Sequence, residues 1–247
     1  MNTSFADIEK KENRKDLIIS ICVFLSGFSC FAQLYYFQPL LPDLAKDFIL
    51  SASESSFAIS FSTLGMVFGL FTTMFVADRI PRKKMIGTGL LSSSIFSVAA
   101  SFSPTFLPLI LLSAAKGFLL SGATSVSMAY IAEEVSSRNK GKIMGLYIAG
   151  NALGGMAGRV ISSWIGALYT WRIASVSIGL ICALFAILFL LFSPRSTNFM
   201  PRKESFHTLI IANLQLITSK ALIPFYLTGG LILGVFVSLY NYLGFYL

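Results

Sequence analysis

The chain has 247 residues, of which 55% are hydrophobic and only 12% are charged, whereas an average soluble domain carries about 25% charged residues. So few charges cannot cover the surface of a soluble fold of this size. The composition excludes most soluble enzymes, nucleic-acid-binding domains and secreted disulfide scaffolds, and it predicts an all-α protein embedded in a lipid bilayer. The net charge of +8 is typical of basic loops beside a membrane, and no nucleic-acid partner is expected.

Seven largely apolar runs are each long enough to cross the hydrocarbon core of a bilayer as a helix, which takes about 20 residues. In chain order they are residues 17–41, 56–77, 85–103, 106–130, 143–168, 173–192 and 221–246. The first run is too long for a signal peptide and lacks a convincing cleavage site, so we expect an uncleaved transmembrane helix.

The basic residues are distributed very unevenly between the two sets of loops. If the N-terminus is cytoplasmic, the cytoplasmic segments hold fifteen basic residues and the opposite loops hold only two, Lys46 and Arg172. Because basic loops stay in the cytoplasm, this count predicts a cytoplasmic N-terminus and places Leu247 outside. The fifteen residues are Lys10, Lys11, Arg14, Lys15, Arg79, Arg82, Lys83, Lys84, Arg138, Lys140, Lys142, Arg195, Arg202, Lys203 and Lys220.

A long polar connection divides the spans into six and one. We predict a cytoplasmic tail at 1–16, a six-helix bundle at 17–192, a cytoplasmic central loop at 193–220 and a seventh helix at 221–247. The second span and the fifth span are both rich in glycine, so the six helices are predicted to form two inverted three-helix repeats.

The loop between the second and third spans reads DRIPRKK from residue 78 to residue 84. It resembles the loop motif of the major facilitator superfamily at the same place. Pro81 stands where that motif has a glycine, and proline fixes φ near −65°, so we expect a different turn. The resemblance implies that Asp78 latches a cytoplasmic gate and that the basic residues pair with an opposing bundle. The matching positions are Asp78, Arg79, Arg82 and Lys83.

Three glycines in the fifth span are spaced four residues apart: Gly150, Gly154 and Gly158. They form one smooth ridge on which a neighbouring helix backbone can pack closely. The adjacent ridge carries Asn151 and Arg159. The segment is similar to the glycine-rich fifth-helix motif of the superfamily's efflux antiporters, and the resemblance favours the drug and sugar efflux permease branch, although the motif's proline is absent.

Two cations, Lys116 and Arg159, lie near the centres of their predicted spans, where each charge costs about 3 kcal/mol. Either each pairs with a carbonyl or a polar neighbour, or it belongs to a substrate site or gate. No span contains Asp or Glu. Proton antiport in this superfamily usually relies on a membrane-embedded carboxylate, so the carrier of coupling is not visible and could lie in a missing C-terminal half.

The resemblance implies a secondary transporter in a bacterial cytoplasmic membrane that moves a small solute, in the efflux direction, by rocking two helix bundles. Twelve helices are expected, so the alternative is an inactive fragment from a truncated reading frame. A seven-helix receptor is a remote alternative, since the predicted N-terminus is inside. No nucleophile motif, cofactor motif or metal spacing suggests an enzyme. The resemblance implies a substrate cavity lined by Gln33, Tyr36, Lys116, Ser121, Asn151 and Arg159.

Overall fold

The computed structural model describes residues 5–201 and 206–246, and all regular structure in these two ranges is helical. This confirms the all-α prediction. Arg202, Lys203 and Leu247, which entered the topology prediction, lie outside the described residues. The helices are α1 (Phe5–Tyr35), α2 (Leu41–Phe48), α3 (Ala52–Ser55), α4 (Phe57–Val76), α5 (Arg82–Ala100), α6 (Phe106–Glu134), α7 (Lys140–Leu168), α8 (Trp171–Phe192), α9 (Phe206–Ile217) and α10 (Ile223–Tyr246).

The first predicted span differs most from the structure. It was expected to be one helix over 17–41, but α1 ends at Tyr35 and is followed by a 3₁₀ turn at Gln38–Leu40 and by the short helix α2. Pro39 and Pro42 explain the break, because proline has no N–H to donate to the preceding turn and clashes with its carbonyls. A second difference is α9, which lies inside the predicted loop 193–220.

Five stretches of the described chain are long and apolar enough to cross a membrane: Lys10–Phe48, Ala52–Arg79, Phe106–Glu134, Trp171–Phe192 and Ile223–Tyr242. The remaining two predicted spans correspond to α5 and α7, which have 19 and 29 residues. Both exceed about 28 Å in length, but Ser and Gly lower their hydropathy. Such small residues allow close helix contact, and both helices pack against the apolar ones.

Helix packing in the bundle repeats after three spans. α1 packs on α7, and α4 packs on α6; α5 packs on α6, and α8 packs on α1; α5 and α8 pack on each other. If α1 is exchanged with α6, α4 with α7 and α5 with α8, the same set of packed pairs results. The bundle therefore consists of two three-helix units with equivalent packing. Because each unit has an odd number of spans, the two cross a bilayer in opposite directions.

The glycine ridge of α7 lies directly against the backbone of α1. A Cβ atom built on Gly150 would lie 2.6 Å from the carbonyl oxygen of Phe24, and one on Gly158 would lie 2.7 Å from Cα of Ala32. Gly154 meets Phe28 in the same way. Both helices advance four residues per contact, so they run parallel, with no room for a side chain between them. Gly65 and Gly69 of α4 bring that helix equally close to α6.

We expect Gly150→Ala to lower the stability of the purified chain in detergent by about 1–3 kcal/mol, because the added methyl group forces α1 and α7 apart. Gly145→Ala is the matched control on the same helix. A Cβ at Gly145 meets no atom within 4 Å, so this variant should be unchanged or gain up to about 1 kcal/mol from helix propensity. Equal melting temperatures for the two variants would contradict the close contact.

Candidate functional site

A cavity of about 610 Å³ lies between α1, α7 and α10. Its walls are mostly apolar, with Phe31 from α1, Met156 from α7 and Leu233 from α10 among them. Polar groups reach it from two levels of α7, at Asn151 and at Arg159. A concave apolar site with a few polar groups is the usual form of a small-molecule site in a helical protein.

Arg159 lies at one end of this cavity, between two aromatic rings. Its Cζ atom is 4.5 Å from the ring centroid of Tyr35 on α1 and 4.6 Å from that of Tyr240 on α10. Its Nη1 donates to the carbonyl oxygen of Gly155 at 3.1 Å. Stacking on rings is the arrangement that a planar guanidinium favours, and it offsets part of the cost of a charge in this position.

A hydrogen-bond relay joins Arg159 to α10 through the 3₁₀ turn after α1. Arg159 Nε donates to Oε1 of Gln38, and Nε2 of Gln38 donates to Oδ1 of Asn241 at 3.0 Å. The relay and the two ring contacts are named here the Arg159 bridge; its residues are Tyr35, Gln38, Arg159, Tyr240 and Asn241. The bridge ties three separate segments together at one end of the cavity.

Asn151 is half-buried and faces the same cavity, two turns of α7 away from Arg159. Its Oδ1 is buried against Gly27 of α1, where an added Cβ atom would lie 2.3 Å from it. The cavity therefore offers a cation at one end and an amide nearer its middle.

Lys116 of α6 lies elsewhere, in the interior of the six-helix bundle. The residue is 1% exposed, and its Nζ lies 4.5 Å from the ring centroid of Tyr36 and 4.9 Å from that of Phe37. Nζ has no hydrogen-bond partner within the described part of the chain. The amino group is thus covered by two aromatic rings and has no acceptor among the described residues.

Tyr36 and Gln33 belong to the same interior site. The hydroxyl of Tyr36 lies 2.9 Å from Oγ of Ser175, which donates to the carbonyl oxygen of Ser97 at 2.9 Å. Oγ of Ser97 lies 3.2 Å from Oε1 of Gln33. These polar groups connect α1, α5 and α8 around Lys116. The Lys116 cluster is defined by these residues: Gln33, Tyr36, Phe37, Ser97, Lys116 and Ser175.

The six residues predicted to line one cavity therefore lie in three places. Asn151 and Arg159 face the cavity between α1, α7 and α10, and three others lie in the Lys116 cluster. Ser121 lies at the contact of α6 with α4, where its Oγ donates to the carbonyl oxygen of Phe118 at 2.6 Å. Gln38 and Asn241, which complete the Arg159 bridge, were not among the predicted site residues. The available signal for Gln38 was an amide beside Pro39 near the end of an apolar run.

The end of the bundle that carries the basic loops, named here the basic end, holds a network of ion pairs. Arg82 is 7% exposed and donates from Nη2 to Asp78 at 2.9 Å and to Glu133 of α6 at 3.0 Å. Its Nη1 donates to the carbonyl oxygen of Ala77 at 2.6 Å. Partners in an opposing bundle were expected, but Glu133 lies beside the start of α5 and provides the counter-charge within the first bundle. Arg79 is exposed.

The segment after α8 crosses the basic end and completes this network. Nζ of Lys83 donates to the carbonyl oxygen of Ser193 at 2.5 Å. Glu134 accepts from Nζ of Lys15 at 2.8 Å, from the backbone N–H of Asn198 at 2.7 Å and from Oγ1 of Thr197 at 2.9 Å. One carboxylate thus joins α1, α6 and residues 193–199.

A sequence model of the Major Facilitator Superfamily matches residues 20–247. The chain belongs to this superfamily. The resemblance in the loop after the second span and in the glycine-rich fifth span is thereby confirmed at the level of the superfamily.

Its relatives in the superfamily are named as transporters. The chain is 35% identical over 238 residues to an uncharacterized transporter of Buchnera aphidicola subsp. Schizaphis graminum, an alignment of 96% of this chain and 58% of that protein. It is 36% identical to the inner membrane transport protein YnfM of Escherichia coli, over 92% of this chain and 54% of that protein. The chain thus spans little more than half the length of these curated relatives.

The superfamily fold is also found by comparison with solved structures. A bacterial homologue of the human lysosomal transporter Spinster, solved in an inward-facing and unoccupied conformation, superposes with a TM-score of 0.75. The match covers 93% of this chain and 55% of that one at 14% sequence identity. At this identity the match establishes the fold: a helical, multi-pass membrane protein of the major facilitator type.

We expect Glu134→Gln to release residues 193–199 from the basic end of the bundle. The amide cannot form an ion pair with Lys15, and it accepts a weaker hydrogen bond from the backbone N–H of Asn198. Loss of such a charged partner costs about 1–3 kcal/mol. Limited digestion with trypsin at the exposed Arg195 should become several-fold faster. Glu12→Gln, which neutralises an exposed carboxylate on α1, is the control and should leave the rate unchanged. An unchanged rate in both variants would contradict the role of Glu134.

Proposed function

We propose that this chain forms the first bundle, and the first helix of the second, of a secondary transporter that moves a small solute by alternating access across a bacterial cytoplasmic membrane. The observation that carries the proposal is the cavity between α1, α7 and α10, with the Arg159 bridge across one of its ends. In this proposal the bridge is a gate and the cavity is part of the solute path. The rest of the relatives' length supplies the opposing bundle.

The charges and walls of the cavity favour a particular chemistry of solute. Its only described polar side chains besides the two tyrosines are the cation Arg159 and the amide Asn151, and its other walls are apolar or glycine. A small amphipathic solute with one anionic or hydrogen-bond-accepting group fits such a site. Efflux is the proposed direction, on the resemblance of the fifth span to that of the superfamily's efflux antiporters.

The Arg159 bridge has the properties that a gate requires. It joins α10 to the first bundle through the hydrogen bond between Gln38 and Asn241 and the contact of Arg159 with the Tyr240 ring. Within the first bundle, Arg159 is held by Gln38 and by the ring of Tyr35. α10 makes few other contacts, and most of its described side chains are exposed. A helix held mainly at one end can move away from its neighbours without disturbing their core.

We expect Arg159→Ala to open the cavity to water at the end that carries the Arg159 bridge. The readout is labelling of an introduced thiol, Asn151→Cys, by a membrane-impermeant reagent added from the periplasmic side, mapped by peptide mass spectrometry. Loss of the charge-assisted hydrogen bond weakens the closed state by about 1.5–3 kcal/mol, which should raise labelling about tenfold or more. Arg159→Lys should give an intermediate rate, because an ammonium cannot both stack and donate like a guanidinium.

The control for this experiment is Arg172→Ala. It removes another arginine at the same end of the bundle, one that pairs with Asp47 and stacks on Trp171 rather than joining the bridge. The native cysteines Cys22, Cys30 and Cys182 are all buried, and the mapping separates any reaction at them. Equal labelling in the unaltered chain and the Arg159→Ala variant would overturn the gate.

We expect the N-terminus to be cytoplasmic and Leu247 to face the periplasm. The physical reason is the count of fifteen basic residues on one side and two on the other, since basic loops resist transfer across the membrane. A reporter that is active only in the periplasm, fused after Leu247, should give signal, and the same reporter fused in the segment 193–199 should not. The opposite pattern would overturn the proposed orientation.

A further inference from the structure

Lys116 has surroundings that suit a neutral amine and not a permanent cation. Nζ is buried and has no acceptor, and no ion pair of the described residues includes it. The titratable side chains near Nζ are Tyr36, whose ring covers it, and Cys182 of α8. α5 contributes the hydroxyl of Ser97 to the cluster, and no carboxylate among the described residues is close enough to interact with Nζ. Nothing described balances a positive charge.

Magnitudes decide between the two charge states in this closed arrangement. A contact with an aromatic ring stabilises a desolvated ammonium, but it recovers less free energy than the ion loses when it is taken out of water. Two ring contacts without a hydrogen-bond acceptor therefore do not offset the free-energy cost of burying the ammonium. An amine without charge keeps the favourable packing on the rings and avoids the penalty, while a hydrated Nζ would be an ammonium.

The cover over Lys116 is part of the same short segment that holds the Arg159 bridge. In the four residues from 35 to 38, Tyr35 and Gln38 contact Arg159. The two residues between them, Tyr36 and Phe37, cover Nζ of Lys116. These residues lie between the end of α1 and Pro39, where the helix is interrupted. A displacement of this segment therefore changes both sites together.

We propose that Lys116 is the proton-carrying group of the transporter and that the Arg159 bridge controls its access to water. When the bridge opens, residues 35–38 move, water reaches Nζ, and the amine lone pair takes a proton from hydronium to form an ammonium and a water molecule. When the segment closes again, the ammonium is unfavourable and returns the proton to water on whichever side is then open. This inference rests on the proposed function and supplies its coupling group.

The charge on Nζ can be measured directly by nitrogen NMR. The chain is prepared with ¹⁵N-lysine in lipid nanodiscs at about pH 8, where exposed lysines are ammonium. We expect one lysine signal at the amine position in the unaltered chain, absent from Lys116→Met. In Arg159→Ala, most of that signal should move to the ammonium position. Arg172→Ala should keep the amine signal, and Lys84→Met, which removes an exposed lysine, should not alter it.

A second measurement uses native Lys116 and needs no variant at that position. A small uncharged acylating reagent modifies only amines that reach water, so Lys116 should be unmodified in the unaltered chain and acylated several-fold faster in Arg159→Ala, as mapped by mass spectrometry. An ammonium signal from Lys116 in the unaltered chain would overturn the proton site. So would an amine signal and unchanged acylation in Arg159→Ala. If Arg159→Ala does not raise the thiol labelling of Asn151→Cys, the gate is overturned instead.

Discussion

The backbone contact between α1 and α7 is the constraint on which the rest of the structure depends. The ridge of α7 continues past its glycines: Ser162, four residues after Gly158, donates from Oγ to the carbonyl oxygen of Tyr36 at 2.8 Å. This carbonyl lies just past the end of α1, where the helix no longer provides an amide for it. One row of small residues thus sets the distance between the two helices and binds the end of the first helix, which the prolines that follow interrupt. The interrupted segment that follows lies between Arg159 and Lys116 because of this contact.

The two intramembrane cations illustrate different solutions to the same energetic problem. Arg159 is half-buried, stacks on rings from two helices and donates hydrogen bonds, so its charge is stabilised by the groups around it. Lys116 is fully buried and lies on rings that can accept only weakly. A guanidinium cannot lose its proton in a protein, whereas an amine can. The difference in chemistry matches the difference in surroundings: a fixed charge where a bridge is built, and a removable charge where none is balanced.

The sequence predicted the elements of this fold better than it predicted their contacts. Length and hydropathy gave the helices, and glycines four residues apart gave the packing ridge of α7, because both are local properties. Which residues meet across the bundle depends on the rotation and register of six helices. The sequence therefore grouped Ser121 with Lys116 as neighbours on α6, although the two side chains point to different helices. Gln38 was missed for the same reason, since only the break at Pro39 turns its amide towards Arg159.

The network at the basic end has a consequence for the order of assembly. All its partners lie between Lys15 and Phe199, whose ring lies 4.9 Å from Cζ of Arg82. During synthesis, these contacts can therefore form once residue 199 has left the ribosome, before the whole of α10 has entered the membrane. Glu134 then closes the unit by joining the beginning of the first span to the segment that follows the sixth. The first bundle can thus mature as an independent folding unit in the bilayer, and later helices dock onto a surface that is already rigid.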